Sequence, residues 1–161
     1  MTVAEYNNCV DSHSDHVYRF ILKNIRDEDT AMDIVQDAFE KMWTRFREIS
    51  SGSAKSYLFT TAYHRMIDYT RKEKRITRLD DSFERTESHT GHYSDLKEIL
   101  DEALHRLPEI QKSLILLRDY EGYSYEEIGE ITGLTESQVK VYIFRGRMAL
   151  KNYLVSIENL V

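Results

Sequence analysis

Residues 124–150 read SYEEIGEITGLTESQVKVYIFRGRMAL, and this stretch contains two helix starts in quick succession. At each start a Ser or Thr precedes a Glu or Gln by three residues, at Ser124–Glu127 and again at Thr135–Gln138, which is the pattern of a capping box. Gly133, between the two, can adopt the left-handed conformation that ends a helix. A short helix, a glycine turn and a second helix together predict a helix-turn-helix.

The second of these helices is expected to have one buried face and one exposed face. Helical spacing assigns to the buried face Val139, Tyr142, Ile143, Gly146 and Leu150. The exposed face then carries Ser137, Lys140, Val141, Phe144 and Arg145.

The exposed face is short, basic and partly apolar, which suits the major groove of DNA. There Arg reads guanine edges and apolar groups contact thymine methyls. Arg147 and Lys151 are better placed to contact phosphates. Glycine-joined helix pairs also occur in plain helical bundles, but Phe144 would then be an unexplained apolar residue on a basic surface.

Helical patterns also fill the residues before this motif. An apolar stripe begins after Asp95, and a second apolar helix follows Pro108 and is closed by Gly122. The stripe consists of Leu96, Ile99, Leu100, Ala103, Leu104 and Leu107.

The first half of the chain predicts three more helices. The first runs from about Val17 to Ile25, the second follows N-cap candidates at 27–30, and the third runs from about Lys55 to Arg75, after a loop at 49–53. The second helix has an apolar side of Ala31, Ile34, Val35, Ala38, Met42 and Trp43. Its polar side carries Asp33, Gln36, Asp37, Glu40 and Lys41.

These patterns predict an all-α protein of two small helical domains, at residues 1–76 and 95–161, joined by a flexible acidic linker at residues 77–94. Six Gly and one Pro in 161 residues are too few for the many turns of a strand-rich fold. A long surface loop inside one domain is the alternative to a linker. It is disfavoured because loops beyond about 12–15 residues are uncommon in compact domains.

The net charge of −6 argues against nucleic-acid binding only if the charge is evenly spread, and here it is not. Basic residues concentrate at 65–78 and 135–151, whereas acidic residues concentrate at 27–37, 80–87 and 95–102. Two basic patches separated by acidic surface indicate a protein with two kinds of partner.

Cysteine content and hydropathy favour a cytoplasmic protein. Cys9 is the single cysteine, so no intrachain disulfide can form, and this fits a reducing compartment. No apolar run approaches the roughly 20 residues that span a bilayer, and the polar N-terminal stretch lacks a signal-peptide pattern.

Both halves resemble the extracytoplasmic-function (group IV) sigma factors of bacterial RNA polymerase. Residues 107–154, LPEIQKSLILLRDYEGYSYEEIGEITGLTESQVKVYIFRGRMALKNYL, resemble their sigma-four domain. Residues 17–46, VYRFILKNIRDEDTAMDIVQDAFEKMWTRF, and residues 56–75, SYLFTTAYHRMIDYTRKEKR, resemble their sigma-two helical bundle. The resemblance implies a promoter-specificity factor that binds core RNA polymerase and promoter DNA, and such factors are typically held inactive by an anti-sigma factor, often membrane-anchored.

The resemblance also implies roles for individual residues. The polymerase would be bound by Asp33, Gln36, Asp37 and Glu40, although a solvated acidic helix face is the usual fate of such charges. The −35 element would be bound by the exposed face described above, with Arg147 and Lys151 on phosphates.

The −10 element would be bound by the loop at 49–56 and the helix that follows it. The loop would capture a flipped base, and exposed aromatics would stack on unpaired bases while cations hold the backbone. The expected contacts are Ser53, Lys55, Tyr57, Tyr63, His64, Arg65, Arg71, Lys72 and Arg75, with Phe59 and Lys74 beside them. Aromatics at helical spacing are as often core residues, so Tyr57 and Phe59 admit both readings.

Three positions depart from the pattern of the family. Members often carry Arg-Asn where this chain has Tyr63-His64, which leaves open which residue reads the −10 element. Tyr142 replaces a frequent Arg and removes one phosphate contact, and Gly129 replaces a frequent Ala.

No motif in the sequence supports catalysis or a cofactor. Cys9, His13 and His16, and separately His89 and His92, have loosely ligand-like spacing, but a structural zinc site normally needs four close ligands. Phosphate loops and nucleophile motifs are missing from the sequence, so we expect a non-enzyme with no small-molecule substrate. Two other readings remain: a conventional regulator that binds duplex DNA as a dimer, and a helical adaptor that uses the face at 33–37.

Overall fold

A computed structural model describes residues 1–79 and 95–159, and within these ranges the chain is all-α, with no β-strand. The first unit contains α1 (Val3–Ile25), α2 (Glu28–Arg45) and α3 (Ala54–Leu79). The second contains α4 (Asp95–His105), α5 (Glu109–Ile115), α6 (Tyr125–Thr132) and α7 (Glu136–Glu158). Short 3₁₀ turns lie at Phe46–Glu48 and Ser51–Ser53, and a π-helical turn at Leu116–Tyr120 follows α5. The predicted fold class is confirmed.

Helix α1 is longer than the sequence analysis expected. It begins at Val3 and not near Val17, because Thr2 and Glu5 form a capping box. The Thr2 hydroxyl accepts a hydrogen bond from the Glu5 amide at 3.1 Å, and the Glu5 carboxylate accepts one from the Thr2 amide at 3.2 Å. The helix ends at Ile25 and is capped by Arg26, whose φ of 56° places it in the left-handed region.

The first unit is a three-helix bundle. Asp27 caps α2 as predicted, and its carboxylate accepts a hydrogen bond from the Thr30 amide. Trp43 was expected on the buried side of α2 but is 48% exposed, whereas Phe39 is buried. The largest fully buried side chains of the unit are Phe20, Ile21, Met42, Leu58 and Phe59.

The second unit packs α5 and α6 against the long helix α7. A Cβ atom at Gly146 would lie 2.5 Å from the Ile115 side chain, so this glycine allows α7 to approach α5 closely. Gly133 adopts a φ of 81° between α6 and α7, in the turn that the sequence predicted. The buried side chains here include Leu114, Ile115, Leu116, Leu117, Ile128, Ile131, Val139 and Ile143.

The two units pack against each other. Helix α3 contacts α6, α1 contacts α5, and the rings of Phe59 and Tyr123 meet edge to face with centroids 5.3 Å apart. Helix α3 continues to Leu79, past its expected end at Arg75 and into residues 77–79 of the predicted linker. The rest of that linker, residues 80–94, lies outside the described residues.

Candidate nucleic-acid interface

The helix-turn-helix of α6 and α7 has the two capping boxes that its sequence predicts. At α6 the Ser124 hydroxyl accepts a hydrogen bond from the Glu127 amide at 3.1 Å, and at α7 the Thr135 hydroxyl accepts one from the Gln138 amide at 3.2 Å. Each bond satisfies an amide that a helix start would otherwise leave unpaired. The cap at Thr135 fixes where α7 begins.

Helix α7 has one buried face and, on its opposite side, one exposed face. Val139 and Ile143 are at most 1% exposed and Gly146 is buried, whereas Tyr142 and Leu150 are half-buried. On the outer side Phe144 is 66% exposed and Val141 is 45% exposed. Also exposed are Ser137, Lys140, Arg145, Arg147 and Lys151.

Met148 extends the apolar part of this face and was not predicted. It is 43% exposed and follows Val141 and Phe144 at helical spacing, so that three apolar side chains form a stripe on the outside of α7. The spacing of 3 and 4 residues in the sequence is the signal that identifies it.

The cations of α7 differ in their surroundings. Within the described residues Arg145 has no acidic partner, whereas the Lys140 ammonium lies 3.3 Å from the Glu136 carboxylate. The Arg147 guanidinium donates to Asp119, and this hydrogen bond raises the pKa of Arg147. Arg145 is therefore the arginine of this face that is available to a base edge.

The first unit places its predicted −10 residues along α3 with unequal exposure. Ser53, His64, Arg65, Arg71, Lys72 and Arg75 are exposed, Lys55 and Tyr57 are half-buried, and Tyr63 is only 5% exposed. Burial raises the pKa of the Tyr63 hydroxyl. Phe59, for which the sequence allows either a core or a DNA-binding role, is fully buried. The exposed cations continue along the last turns of α3, where an extended phosphate chain could follow them.

The polar side of α2 lies where the sequence places it. Asp33, Gln36 and Glu40 are exposed, and the half-buried Asp37 carboxylate accepts a hydrogen bond from Arg65 at 2.9 Å. This bond links the predicted polymerase face directly to α3. Trp43 follows Glu40 on the surface and stacks on Phe46, with ring centroids 4.8 Å apart.

Two possible features have no support among residues 1–79 and 95–159. No three His, Cys, Asp or Glu side chains there could hold a metal ion together, and His89 and His92 lie outside those ranges. None of the helices in the same ranges is both long enough and apolar enough to cross a membrane.

A helical bundle followed by a helix-turn-helix with an exposed basic face defines a DNA-binding transcription protein. Two family models match the chain: Sigma-70 region 2 at residues 9–76, and Sigma-70, region 4 at residues 97–150. The chain belongs to the sigma-70 family, as a member of its extracytoplasmic-function group of RNA polymerase sigma factors.

Curated relatives and solved structures agree with this assignment. The chain is 32% identical to the RNA polymerase sigma factor SigV of Bacillus subtilis, over 89% of this chain and 87% of that protein. It is 28% identical to the sigma factor SigM of the same species, over 84% and 86% respectively. The sigma factor RpoE of Bartonella quintana, solved with its anti-sigma factor NepR, is 27% identical and superposes with a TM-score of 0.80 over 94% of this chain and 98% of that chain.

Proposed function

We propose that this sigma factor binds core RNA polymerase through the polar side of α2, melts the −10 element along α3 and reads the −35 element with α7. The observation that carries the proposal is the outer face of α7, where Lys140, Val141, Phe144 and Arg145 are all exposed above a buried Val139 and Ile143. Phe144 is an apolar side chain exposed between two cations. The ring is well matched to thymine methyls, and the two cations are well matched to phosphates.

The mechanism is differential binding without covalent chemistry. Melted promoter DNA is held better than closed duplex, because unpaired bases and their phosphates contact α3 only after strand separation. Extruding a base costs a few kcal/mol, which the contacts along α3 offset. We infer that the chain has no catalytic activity of its own and acts in the cytoplasm beside the polymerase.

We infer in addition that an anti-sigma factor controls this chain. RpoE was solved in complex with the anti-sigma factor NepR, and the overall arrangement of this chain superposes on that RpoE. A protein encoded beside the gene is the first candidate to test. If that protein neither binds the chain nor inhibits its transcription, this form of control is excluded.

The first experiment is purification with core polymerase followed by run-off transcription on fragments of the source genome. We expect stable association and discrete new transcripts, both lost in Asp37→Arg, which reverses a charge in the middle of the α2 polar side. Asp15→Arg is the matched control, because Asp15 is an exposed residue of α1 and is not part of the α2 polar side. Lack of association combined with specific duplex binding by the chain alone would instead support a conventional regulator.

A further inference from the structure

The loop between α2 and α3, residues 46–53, contacts the bundle mainly through two residues. Phe46 and Ile49 are half-buried, whereas the other residues of the loop are exposed. Within the loop the Ile49 amide donates to the Phe46 carbonyl at 3.2 Å. The Ser53 amide donates to the Ser50 carbonyl at 3.0 Å. Exposed backbone with so few buried side chains opens easily, so the position of the loop depends on Phe46 and Ile49.

Both of these residues are held by the start of α1 and the residues just before it. The Tyr6 ring lies beside the Phe46 ring, with centroids 6.1 Å apart, and the Tyr6 hydroxyl donates to the Phe39 carbonyl at 2.9 Å. The Met1 nitrogen donates to the Phe46 carbonyl at 2.8 Å and to the Ile49 carbonyl at 2.7 Å. The loop is therefore supported by a part of the chain that lies about 45 residues earlier.

Tyr6 belongs to an aromatic cluster that joins α1, the end of α2 and the loop. Its ring meets Trp43 edge to face with centroids 4.9 Å apart, and Trp43 in turn stacks on Phe46 at 4.8 Å. Burial, followed by the Glu40 carboxylate, raises the pKa of the Tyr6 hydroxyl, so the hydroxyl stays protonated and remains a donor. Because edge-to-face and stacked rings attract each other, the cluster restrains the Phe46 side chain.

The capping box of α1 makes a further contact with the loop. The Glu5 carboxylate accepts a hydrogen bond from the Thr2 amide at 3.2 Å and also faces the Ser51 side chain. Hydrogen bonding by Thr2, and to a smaller extent by Ser51, lowers the pKa of Glu5. The first turns of α1 thus contact the loop through an aromatic ring on one residue and a carboxylate on the next.

We propose that Tyr6 is a positioning residue for the −10 element: it holds the α2–α3 loop in the conformation that captures the flipped base, without contacting DNA itself. This inference rests on the proposed melting of the −10 element and on base capture by this loop. A pocket selects one base only when its walls are held in place, because a displaced loop makes similar contacts with any base. The start of α1 then determines how strictly the flipped base is read.

The test makes the same substitution at two tyrosines of α1. Tyr6→Ala removes the ring that contacts Phe46 and Trp43. Tyr18→Ala is the matched control, because Tyr18 is also a half-buried residue packed on the core but lies about 18 Å further along the helix. Tyr6→Phe keeps the ring and loses only the hydroxyl. If circular dichroism shows that Tyr6→Ala has lost helix, Tyr6→Leu replaces it in both measurements.

Hydrogen exchange followed by mass spectrometry measures whether the loop becomes looser. Its reporters are the amides of residues 46–53, among which Ile49 and Ser53 are hydrogen-bonded within the loop. We expect these amides to exchange about tenfold faster in Tyr6→Ala than in the wild type. Exchange in Tyr18→Ala and Tyr6→Phe should stay within about twofold of the wild type. Equal exchange in Tyr6→Ala and the wild type overturns the inference, because the loop then does not depend on the ring.

Run-off transcription with the holoenzyme measures base selectivity. The templates carry each of the four bases at each position of the −10 element, and the result is the ratio of transcript from the preferred base to transcript from the others. We expect Tyr6→Ala to lower this ratio about fivefold at the flipped position and to leave the ratios for the −35 element unchanged. Tyr6→Phe and Tyr18→Ala should keep the wild-type ratios. A general loss of stability lowers the yield from every template and leaves the ratios unchanged.

The outcomes separate this inference from the proposed function. A wild type without base preference in the −10 element contradicts the proposed function, and this inference is then also wrong. A wild-type preference that Tyr6→Ala retains, although its loop exchanges faster, overturns this inference alone. Equal losses of selectivity in Tyr6→Ala and Tyr18→Ala also overturn it, because the effect then does not come from the loop.

Discussion

Two exposed cations of α7, Arg145 and Lys151, are expected to contact different parts of the promoter DNA. Arg145 has no acidic partner in the described part of the chain and lies beside Val141 and Phe144, on the face that we propose contacts base edges. Lys151 lies further along the helix, where contact with the backbone is the expected role. A base contact depends on sequence, and a phosphate contact does not.

Arg145→Ala should therefore weaken −35 recognition by about 1–3 kcal/mol in a sequence-dependent way. Lys151→Ala should weaken transcription about equally from all promoters and reduce its dependence on salt. Run-off transcription on templates with single base-pair changes in the −35 element distinguishes the two. Identical profiles across those templates would refute the orientation of α7 in the groove.

Cys9 should react slowly with alkylating reagents in the folded chain. The residue is 6% exposed, and burial, followed by the nearby Glu5 carboxylate, raises the pKa of its thiol. Since the thiolate is the reactive form, the midpoint of the rate against pH should move to higher pH than in the unfolded chain. Iodoacetamide labelling followed by mass spectrometry, with and without urea, measures the shift. Equal rates in both conditions would contradict the burial of the thiol.

At the scale of elements, the turn between α6 and α7 sets the position of α7 relative to α6. Gly133 has a φ of 81°, a conformation that costs an L-residue roughly 1–2 kcal/mol. Gly133→Ala should lower the free energy of unfolding by about that amount and weaken DNA binding with it. Gly52→Ala is the control, because Gly52 has no positive φ and a Cβ there would meet open space. Urea unfolding of both variants gives the comparison, and equal stabilities would contradict the strain at Gly133.

Local signals in the sequence were sufficient to predict most helices, but they were insufficient to predict where some of these helices begin or end. Thr2 and Glu5 form the same capping signature as Ser124 and Glu127, but the polar residues after them hid the start of α1. The end of α3 could not be predicted from apolar spacing, because Leu79, in its last turn, is 89% exposed. Both faces of α7 were predictable, since they follow from helical periodicity alone.

At the scale of the whole molecule, the packing of the two units against each other could not be predicted from patterns in the sequence. Asn24 and Lys112, which are joined by a hydrogen bond between the units, are 88 residues apart, and each looks like an ordinary polar surface residue of its own helix. Helical periodicity identifies which face of a helix is apolar, but not which distant face covers it. For Tyr63, the place on α3 was predictable from the sequence, whereas the burial of its side chain was not.

Tyr123 provides a test of how well the units fit together. Its ring packs on Phe59, and burial raises the pKa of its hydroxyl, which lies near Ser56 but has no hydrogen-bond partner at bonding geometry in the described residues. A buried hydroxyl without a partner costs free energy, so Tyr123→Phe should leave the stability unchanged or raise it by up to about 1 kcal/mol. Tyr123→Ala removes the ring and should lower it by about 3 kcal/mol or more. Urea unfolding measures both changes, and a loss in Tyr123→Phe as large as that in Tyr123→Ala would show that the hydroxyl, and not the ring, holds the units together.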